Sequence, residues 1–269
     1  FCLGILYEEN MNNKKIAILG TGANGSCVSA DLVSNGFNVK LIDQWPEHVE
    51  KMRKDGLKIE MPNRTLEVKV DAYHLCDVAT FAEKFDIVLL FMKAYDTAWA
   101  CELIKPYLEE DGILVGVQNC MMAEQISGIV GANRTIGCVA ELSSELFDPG
   151  LVKRNTPPEG TWFGLGALAP DMLERIPEIE EVLKFAGKVG ISDEILSAKW
   201  MKLIVNVMGM GIKAIGDLRP AEAFELDGMR DVMLKAGEEA LKVGEGLGYK
   251  TVPIMGLSKE EIDTSNRVQ

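Results

Sequence analysis

Ile16-Ala17-Ile18-Leu19-Gly20-Thr21-Gly22-Ala23-Asn24-Gly25 decides the fold. The first four residues form an uninterrupted apolar run, the pattern of a strand buried on both faces. Gly20, Gly22 and Gly25 then stand at GxGxxG spacing. Gly25–Asn35 continues as a helix pattern, with Val28, Leu32 and Val33 on one face and Gly36 as its stop. With 26 glycines in the chain, a GxGxxG alone carries little weight. Between a buried strand and a helix it reads as a pyrophosphate-binding turn. Gly20 permits the tight turn, Gly22 lets a diphosphate approach the backbone, and Gly25 lets the helix pack closely on the strand. The helix N-terminus offers free N–H groups to the anion. Thr21, Ala23 and Asn24 complete the turn, so all six residues from Gly20 to Gly25 are candidate cofactor contacts. The alternative is a plain left-handed turn with no ligand.

Outward from this turn, strand and helix patterns alternate. Val39–Ile42 is a second apolar run, and a helix from Pro46 to about Lys54 stops at Gly56. Leu57–Met61 and Leu66–Val70 suggest a hairpin around Pro62-Asn63. Ile87–Met92, Ile113–Val117 and Thr135–Val139 read as further buried strands, with helices over Ala94–Leu108 and Met122–Val130 between them. Leu151–Leu168 is strand-like and Gly-rich, and Ala169–Val189 is helical, with Pro170 at its start. From Ser192 no strand pattern remains, and Asp193–Leu218 and Pro220–Leu247 read as long helices. The alternation predicts an α/β fold: an N-terminal Rossmann-type doubly wound parallel sheet followed by an all-α C-terminal domain. The expected organisation is a dinucleotide-binding domain over residues 11–190 and a helical substrate and catalytic domain over 191–269, truncated at its polar end, Glu260–Gln269. Residues 1–10, ahead of Met11, are set aside as a non-native or disordered extension.

The chain has 269 residues, 47% hydrophobic and 26% charged, enough apolar material for a sizeable core and incompatible with global disorder. Lys and Arg number 28 against 41 Asp and Glu, a formal charge of -13. Such acidity repels phosphate backbones and anionic lipid, so neither nucleic acid nor a membrane is an expected partner. The most apolar runs, Ile87–Met92 and Leu203–Val205, fall far short of the roughly 20 residues of a bilayer span. Six dispersed cysteines without a CxxC pair argue against a disulfide framework and for free thiols in a reducing, cytoplasmic compartment. With two histidines and no HExxH motif, no metal site is expected.

Ligands of parallel α/β sheets lie outside the carboxyl ends of the strands, and three polar residues stand at such ends. Asp43 closes the second strand about 18 residues beyond Gly25, where a carboxylate accepts ribose hydroxyls and repels a 2′-phosphate. Gln44-Trp45-Pro46 follows rather than an arginine, which favours NAD(H) over NADP(H). Capping the helix at Pro46 is the alternative role for Asp43. Lys93 follows Ile87–Met92 and can hold a cofactor phosphate or ribose. Asn119 follows Ile113–Val117, and its amide can bridge a nicotinamide ribose and a substrate. A solvated loop lysine and a turn asparagine are the alternatives there.

Further on, Trp200-Met201-Lys202-Leu203-Ile204-Val205-Asn206 sets a lysine in a strongly apolar helix. Burying an ammonium is costly unless it is paired or functional. Lys202 and Asn206, at i and i+4, share one face. A cation and an amide together suit a 2-keto acid, and desolvation lowers a lysine pKa towards the range of a usable proton donor. A snorkelling helix lysine is the alternative.

Taken together, these residues resemble the ketopantoate reductase (2-dehydropantoate 2-reductase) family. The matching stretches are Ile18–Gly25 (ILGTGANG), Phe91–Thr97 (FMKAYDT), Gln118-Asn119, and Lys199–Asn206 (KWMKLIVN), and the resemblance runs from about Lys14 to Gln269. It implies a Rossmann domain and a helical domain, with NADPH and ketopantoate as ligands. It implies an oxidoreductase reducing that branched 2-keto acid to pantoate, with Lys202 as general acid. Asn206 then binds substrate, Lys93 contacts cofactor, and Asn119 contacts cofactor and helps hold the substrate. Four positions depart from the family pattern. Met210 stands where a second Asn is usual, and Cys120 follows Asn119 in place of Gly. Asp43-Gln44 replaces a basic residue that reads the NADPH phosphate, and Glu260–Asp263 imitates a later family segment too close to Lys202. A reductase of another 2-keto acid and a non-catalytic dinucleotide-binding protein are the remaining readings, and a homodimer is left open.

Overall fold

The computed structural model describes residues 13–255, apart from the side chains at positions 220, 221 and 224. The expected extension over residues 1–10 and the segment Glu260–Gln269, with its Glu260–Asp263 imitation, lie outside the described residues. The chain divides into two compact units. One comprises the residues up to Gln118 with Met122–Asp193, and the other Asn119–Met121 with the chain from Glu194 onward.

The strands of the first unit are β1 (Ile16–Leu19), β2 (Val39–Asp43), β3 (Leu57–Glu60), β4 (Thr65–Val68), β5 (Asp71–His74) and β6 (Phe85–Leu90), followed by β7 (Leu108–Val117), β8 (Thr135–Glu141), β9 (Ser144–Asp148), β10 (Leu151–Arg154), β11 (Trp162–Ala167) and β12 (Lys188–Ile191). Its helices are α1 (Ala23–Ser34), α2 (Pro46–Asp55), α3 (Thr97–Ile104), α4 (Ala123–Val130) and α5 (Ile176–Leu183). The main sheet has eight strands in the order β12-β11-β8-β7-β6-β1-β2-β5. From β8 to β5 every neighbouring pair is parallel, with Leu19 opposite Ile42 on one side and Leu90 on the other.

Alternation along each strand explains why this sheet needs helices on both faces. Ile16, Ile18, Ile87 and Leu89 pack with Val28 and Leu32 of α1 and with Ile179 and Val182 of α5. Ala17, Leu19, Val88 and Leu90 turn the other way and meet Ala100 and Ile104 of α3 and Ile126 of α4. The chain runs from β1 out to β2, then returns across the sheet to β6. The switch point, where a ligand crevice opens in such sheets, therefore lies at the carboxyl ends of β1 and β6.

Several elements differ from the sequence expectation. The sheet is mixed rather than wholly parallel, because β11 runs antiparallel to β8 and β12 follows β11. The stretch Ala169–Val189 is not one helix: a 3-10 turn over Pro170–Arg175 precedes α5, and the chain then enters β12. Gly187 and Gly190 let that strand lie against Thr161 and Trp162: a Cβ on Gly187 would fall 2.7 Å from the Thr161 methyl and one on Gly190 3.1 Å from the Trp162 indole nitrogen. Ala94–Leu108 shrinks to α3 between 3-10 turns at Ala94–Asp96 and Lys105–Tyr107, the second set by Pro106. The hairpin of β3 and β4 forms, but it joins β10 and β9 in a separate four-stranded sheet, β4-β3-β10-β9. The edge strand β5 had no apolar run to announce it.

The second unit is helical: α6 (Ile195–Asn206), a π-helical turn over Val207–Gly211, α7 (Ile212–Ile215), α8 (Pro220–Glu225) and α9 (Met229–Gly246). The continuous run Ile195–Ile215 has 21 residues, and its most apolar 18-residue stretch has a mean hydropathy of 1.3 with 33% of it buried, so by length and composition alone it is long enough to cross a membrane. That corrects the length argument from sequence, which counted only uninterrupted apolar residues. Two lysines of this run, Lys199 and Lys202, are buried within the fold. The expected helix Pro220–Leu247 breaks after Glu225, where Leu226 turns extended, and the next helix starts at Gly228, its N-cap, with φ at 76°.

Candidate functional site

The glycine turn sits at the switch point. Gly20 holds φ at 94°, and a Cβ there would fall 2.9 Å from the Met92 backbone nitrogen. A Cβ on Gly25 would fall 2.1 Å from the Gly20 carbonyl oxygen. Both positions exclude side chains because backbone already fills the space. Gly22 differs: a Cβ there meets nothing within 4 Å, so the space in front of it is open. Gly22 is the N-cap of α1, with no side chain capping it and no acidic residue in the first turn. Among the described residues no backbone acceptor engages the N–H groups of Gly22, Ala23 or Asn24. An open cradle at a positive helix end fits a diphosphate.

The side chains of this turn point into the protein. Thr21 is fully buried, and its hydroxyl donates to Asp43 Oδ2 at 3.3 Å. Its carbonyl accepts from the Ser26 hydroxyl at 2.6 Å and from His48 Nε2 at 2.9 Å. Asn24 Oδ1 accepts from the Ser144 hydroxyl at 2.6 Å, which ties the first turn of α1 to β9. Asp43 is 6% exposed at the end of β2, and its Oδ1 accepts the Trp45 N–H at 2.9 Å. Asp43 therefore holds the backbone just ahead of α2, whose N-cap is Trp45 with no side-chain cap, and its carboxylate has lone pairs left over.

Lys93 is exposed just beyond β6, and among the described residues its ammonium makes no ion pair or hydrogen bond. The loop carrying it is held by Gln118, whose side-chain N–H groups donate to the Met92 carbonyl at 2.7 Å and the Thr97 hydroxyl at 2.9 Å. Gln118 had no assigned role from sequence. Asn119 follows it past the end of β7 and groups with the second unit.

In the second unit, Lys202 is 5% exposed and Asn206 half-buried, one turn apart on α6. Trp200 anchors this helix: its indole N–H donates to the Ala240 carbonyl at 3.0 Å, and its ring stacks on Tyr249 with centroids 5.3 Å apart. Gly244 makes room, since a Cβ there would lie 2.1 Å from the indole nitrogen. The Ser197 hydroxyl accepts the Lys250 N–H at 3.0 Å, fixing the start of the helix. Lys199, 1% exposed, lies three residues before Lys202 on the same side and was missed from sequence. A second lysine on the same stripe of an apolar helix was the available signal. Met210, at the position where the resemblance anticipated a polar residue, is 61% exposed.

Among the described residues no group of three or more His, Cys, Asp or Glu could hold a metal ion. Cys27, Cys101 and Cys138 are buried free thiols, and burial pushes the first two up to about 12.

The ketopantoate reductase PanE/ApbA family pattern matches residues 16–167. The chain is 30% identical over 236 residues to a 2-dehydropantoate 2-reductase of Pyrococcus abyssi, covering 86% of this chain and 72% of that one. A 2-dehydropantoate 2-reductase of Nostoc sp. is 28% identical over 217 residues, 79% of this chain, which spans 66% of that relative's length. A D-mandelate dehydrogenase solved with NADH and anilino(oxo)acetate superposes with a TM-score of 0.81 at 23% identity, over 88% of this chain and 75% of the other, a likeness of fold.

Proposed function

Because the chain belongs to the ketopantoate reductase PanE/ApbA family, whose members are oxidoreductases with an NAD(P)-binding Rossmann-like fold, we propose that it reduces a branched 2-keto acid, 2-dehydropantoate first among them. The first unit is read as the cofactor domain and the second as the substrate and catalytic domain. The observation that carries the reading is Lys202, 5% exposed and one helical turn from Asn206.

The nicotinamide supplies the hydride when bound. The chain's own residues do the rest. The N–H groups of Gly22, Ala23 and Asn24 hold the diphosphate, and Asp43 accepts from the ribose. Lys93 adds a positive charge on the cofactor side. Lys202 delivers a proton to the ketone oxygen as negative charge develops there. Asn206 and Asn119 orient the keto acid through their amides. Asp43 and the absence of a following arginine support NADH as the preferred cofactor against the family resemblance to NADPH users.

Met210 favours a second reading within the same chemistry, a 2-keto acid whose side chain lacks a polar handle. Free thiols at all five described cysteines support a cytoplasmic, reducing setting. A homodimer belongs to the proposal on the strength of Val232, Val243 and Leu247, exposed apolar residues on and just beyond α9. The test is a panel of 2-keto acids, ketopantoate included, assayed with NADH and with NADPH by nicotinamide absorbance. Turnover of at least one branched 2-keto acid supports the reading. Cofactor binding without turnover of any keto acid overturns it in favour of a non-catalytic dinucleotide-binding protein.

A further inference from the structure

His48 sits on α2, away from the open side of the glycine turn, yet it reaches the turn directly. Its ring is fully buried. Nδ1 accepts the Gly150 N–H at 2.9 Å, from the turn between β9 and β10 of the second sheet. An accepting Nδ1 carries no proton, so the neutral ring has its proton on Nε2. That Nε2–H donates to the Thr21 carbonyl at 2.9 Å. The Ser26 hydroxyl donates to the same oxygen at 2.6 Å, so both of its lone pairs are used. Trp45 lies over the imidazole, centroids 5.7 Å apart and planes 22° from parallel, and holds its orientation.

The consequence follows from peptide geometry. In a planar trans peptide the C=O and the next N–H point in opposite directions. With the Thr21 carbonyl drawn inward by two donors, the Gly22 N–H is turned outward, into the space where a Cβ on Gly22 meets nothing. Rotating that peptide would bury its N–H, leave both donors without their acceptor, and present a carbonyl oxygen to an anion. We infer that His48 is a positioning residue for cofactor binding: by fixing the Thr21 carbonyl it keeps the Gly22 N–H aimed at the cofactor diphosphate, with the second sheet as the anchor behind it. The inference rests on the dinucleotide reading of the turn. Burial holds the imidazole below its ordinary pKa of 6.5, against the opposing pull of Asp43 and of the Thr21 carbonyl, so the neutral ring this geometry needs is the favoured form.

The experiment compares wild type, His48→Phe, His48→Gln and Ser26→Ala for NADH and ADP-ribose dissociation constants, for kcat and KM, and for folding by circular dichroism. Phe keeps the ring volume and removes both hydrogen bonds. The expected result is NADH and ADP-ribose affinity about 10- to 100-fold weaker in His48→Phe, the scale of one hydrogen bond to a charged group. The kcat at saturating NADH should stay within about threefold of wild type, because only binding is touched. His48→Gln, which retains an N–H for the Thr21 carbonyl, should recover part of the loss. Ser26→Ala removes the other donor and should weaken binding in the same sense, so it carries the test if His48→Phe does not fold. A folded His48→Phe, or failing that a folded Ser26→Ala, with wild-type affinity for both ligands overturns the inference while leaving the function standing. Wild type that binds neither ligand overturns the dinucleotide reading and this inference with it.

Discussion

Gly22→Val separates binding from folding at the glycine turn. At position 22 the backbone has φ of −61°, open to any L residue, and a Cβ meets no atom within 4 Å. The folded chain therefore accommodates the side chain, losing about 1 kcal/mol or less from the poorer N-cap, partly offset by the reduced freedom of the unfolded chain. The same side chain occupies the space in front of the free N–H groups of Gly22, Ala23 and Asn24. Excluding a diphosphate from two of them removes roughly 1.5–3 kcal/mol each. Together that is ~3–6 kcal/mol, or about 10²- to 10⁴-fold in affinity. Gly25→Ala is the contrasting variant. Its Cβ would lie 2.1 Å from the Gly20 carbonyl, so the turn between β1 and α1 must distort and stability itself falls by about 1–3 kcal/mol. Calorimetric titration with NADH and urea unfolding on both variants make the comparison. A folded Gly22→Val that binds NADH as wild type does would refute the pyrophosphate assignment, since no ligand could then be using that space.

Asp43→Ser should raise the ratio of NADPH to NADH kcat/KM by ~10- to 100-fold, the scale of a hydrogen-bonded charge lost from the ribose, and an unchanged ratio would leave Asp43 only as the structural partner of Thr21 and Trp45. Arg154→Ala should lower stability in urea by about 3–5 kcal/mol; the fully buried guanidinium donates to Asp31 at 2.5 Å, to Thr161, and to the Ala186 and Thr156 carbonyls, and burial against that pairing pushes Asp31 up to about 6. The stability difference between wild type and His48→Phe should be constant above pH 6.5 and shrink as pH falls below it. A folded-state pKa below the unfolded one means that the neutral ring's contribution is full above the unfolded value and is lost on acidification. Asp31 titrates in both chains and cancels in the difference, so a difference independent of pH would contradict the buried neutral imidazole.

Where an element was continuous and buried on both faces, the sequence announced it. Ile16–Leu19 coincides with β1, and Val39–Ile42 and Ile87–Met92 fall within a residue or two of β2 and β6. The glycine turn was legible because its three glycines each answer a different steric demand. Strands without an apolar run or alternation were not legible. Asp71–His74 carries polar residues at both ends and gains its place only by pairing with β2. Lys188–Ile191 resembles the end of a helix until Gly187 and Gly190 are seen lying against Thr161 and Trp162. His48 could have been noticed, since it shares a helical face with Met52 in the core, but its partners Thr21 and Gly150 are distant in sequence and come together only through the fold. Trp200 belonged to the quoted motif, yet its role as the anchor of the Lys202 helix needed Gly244 and Tyr249 in view.

The central claim, that Lys202 is the proton donor of a 2-keto acid reductase, is tested most directly by single-turnover reduction of a branched 2-keto acid at saturating NADH in wild type and Lys202→Ala. A positioned acid contributes ~10²–10⁴-fold, so the account predicts a loss of that size in the rate of the chemical step with NADH affinity nearly unchanged. A Lys202→Ala protein that reduces the keto acid at close to the wild-type rate would contradict it.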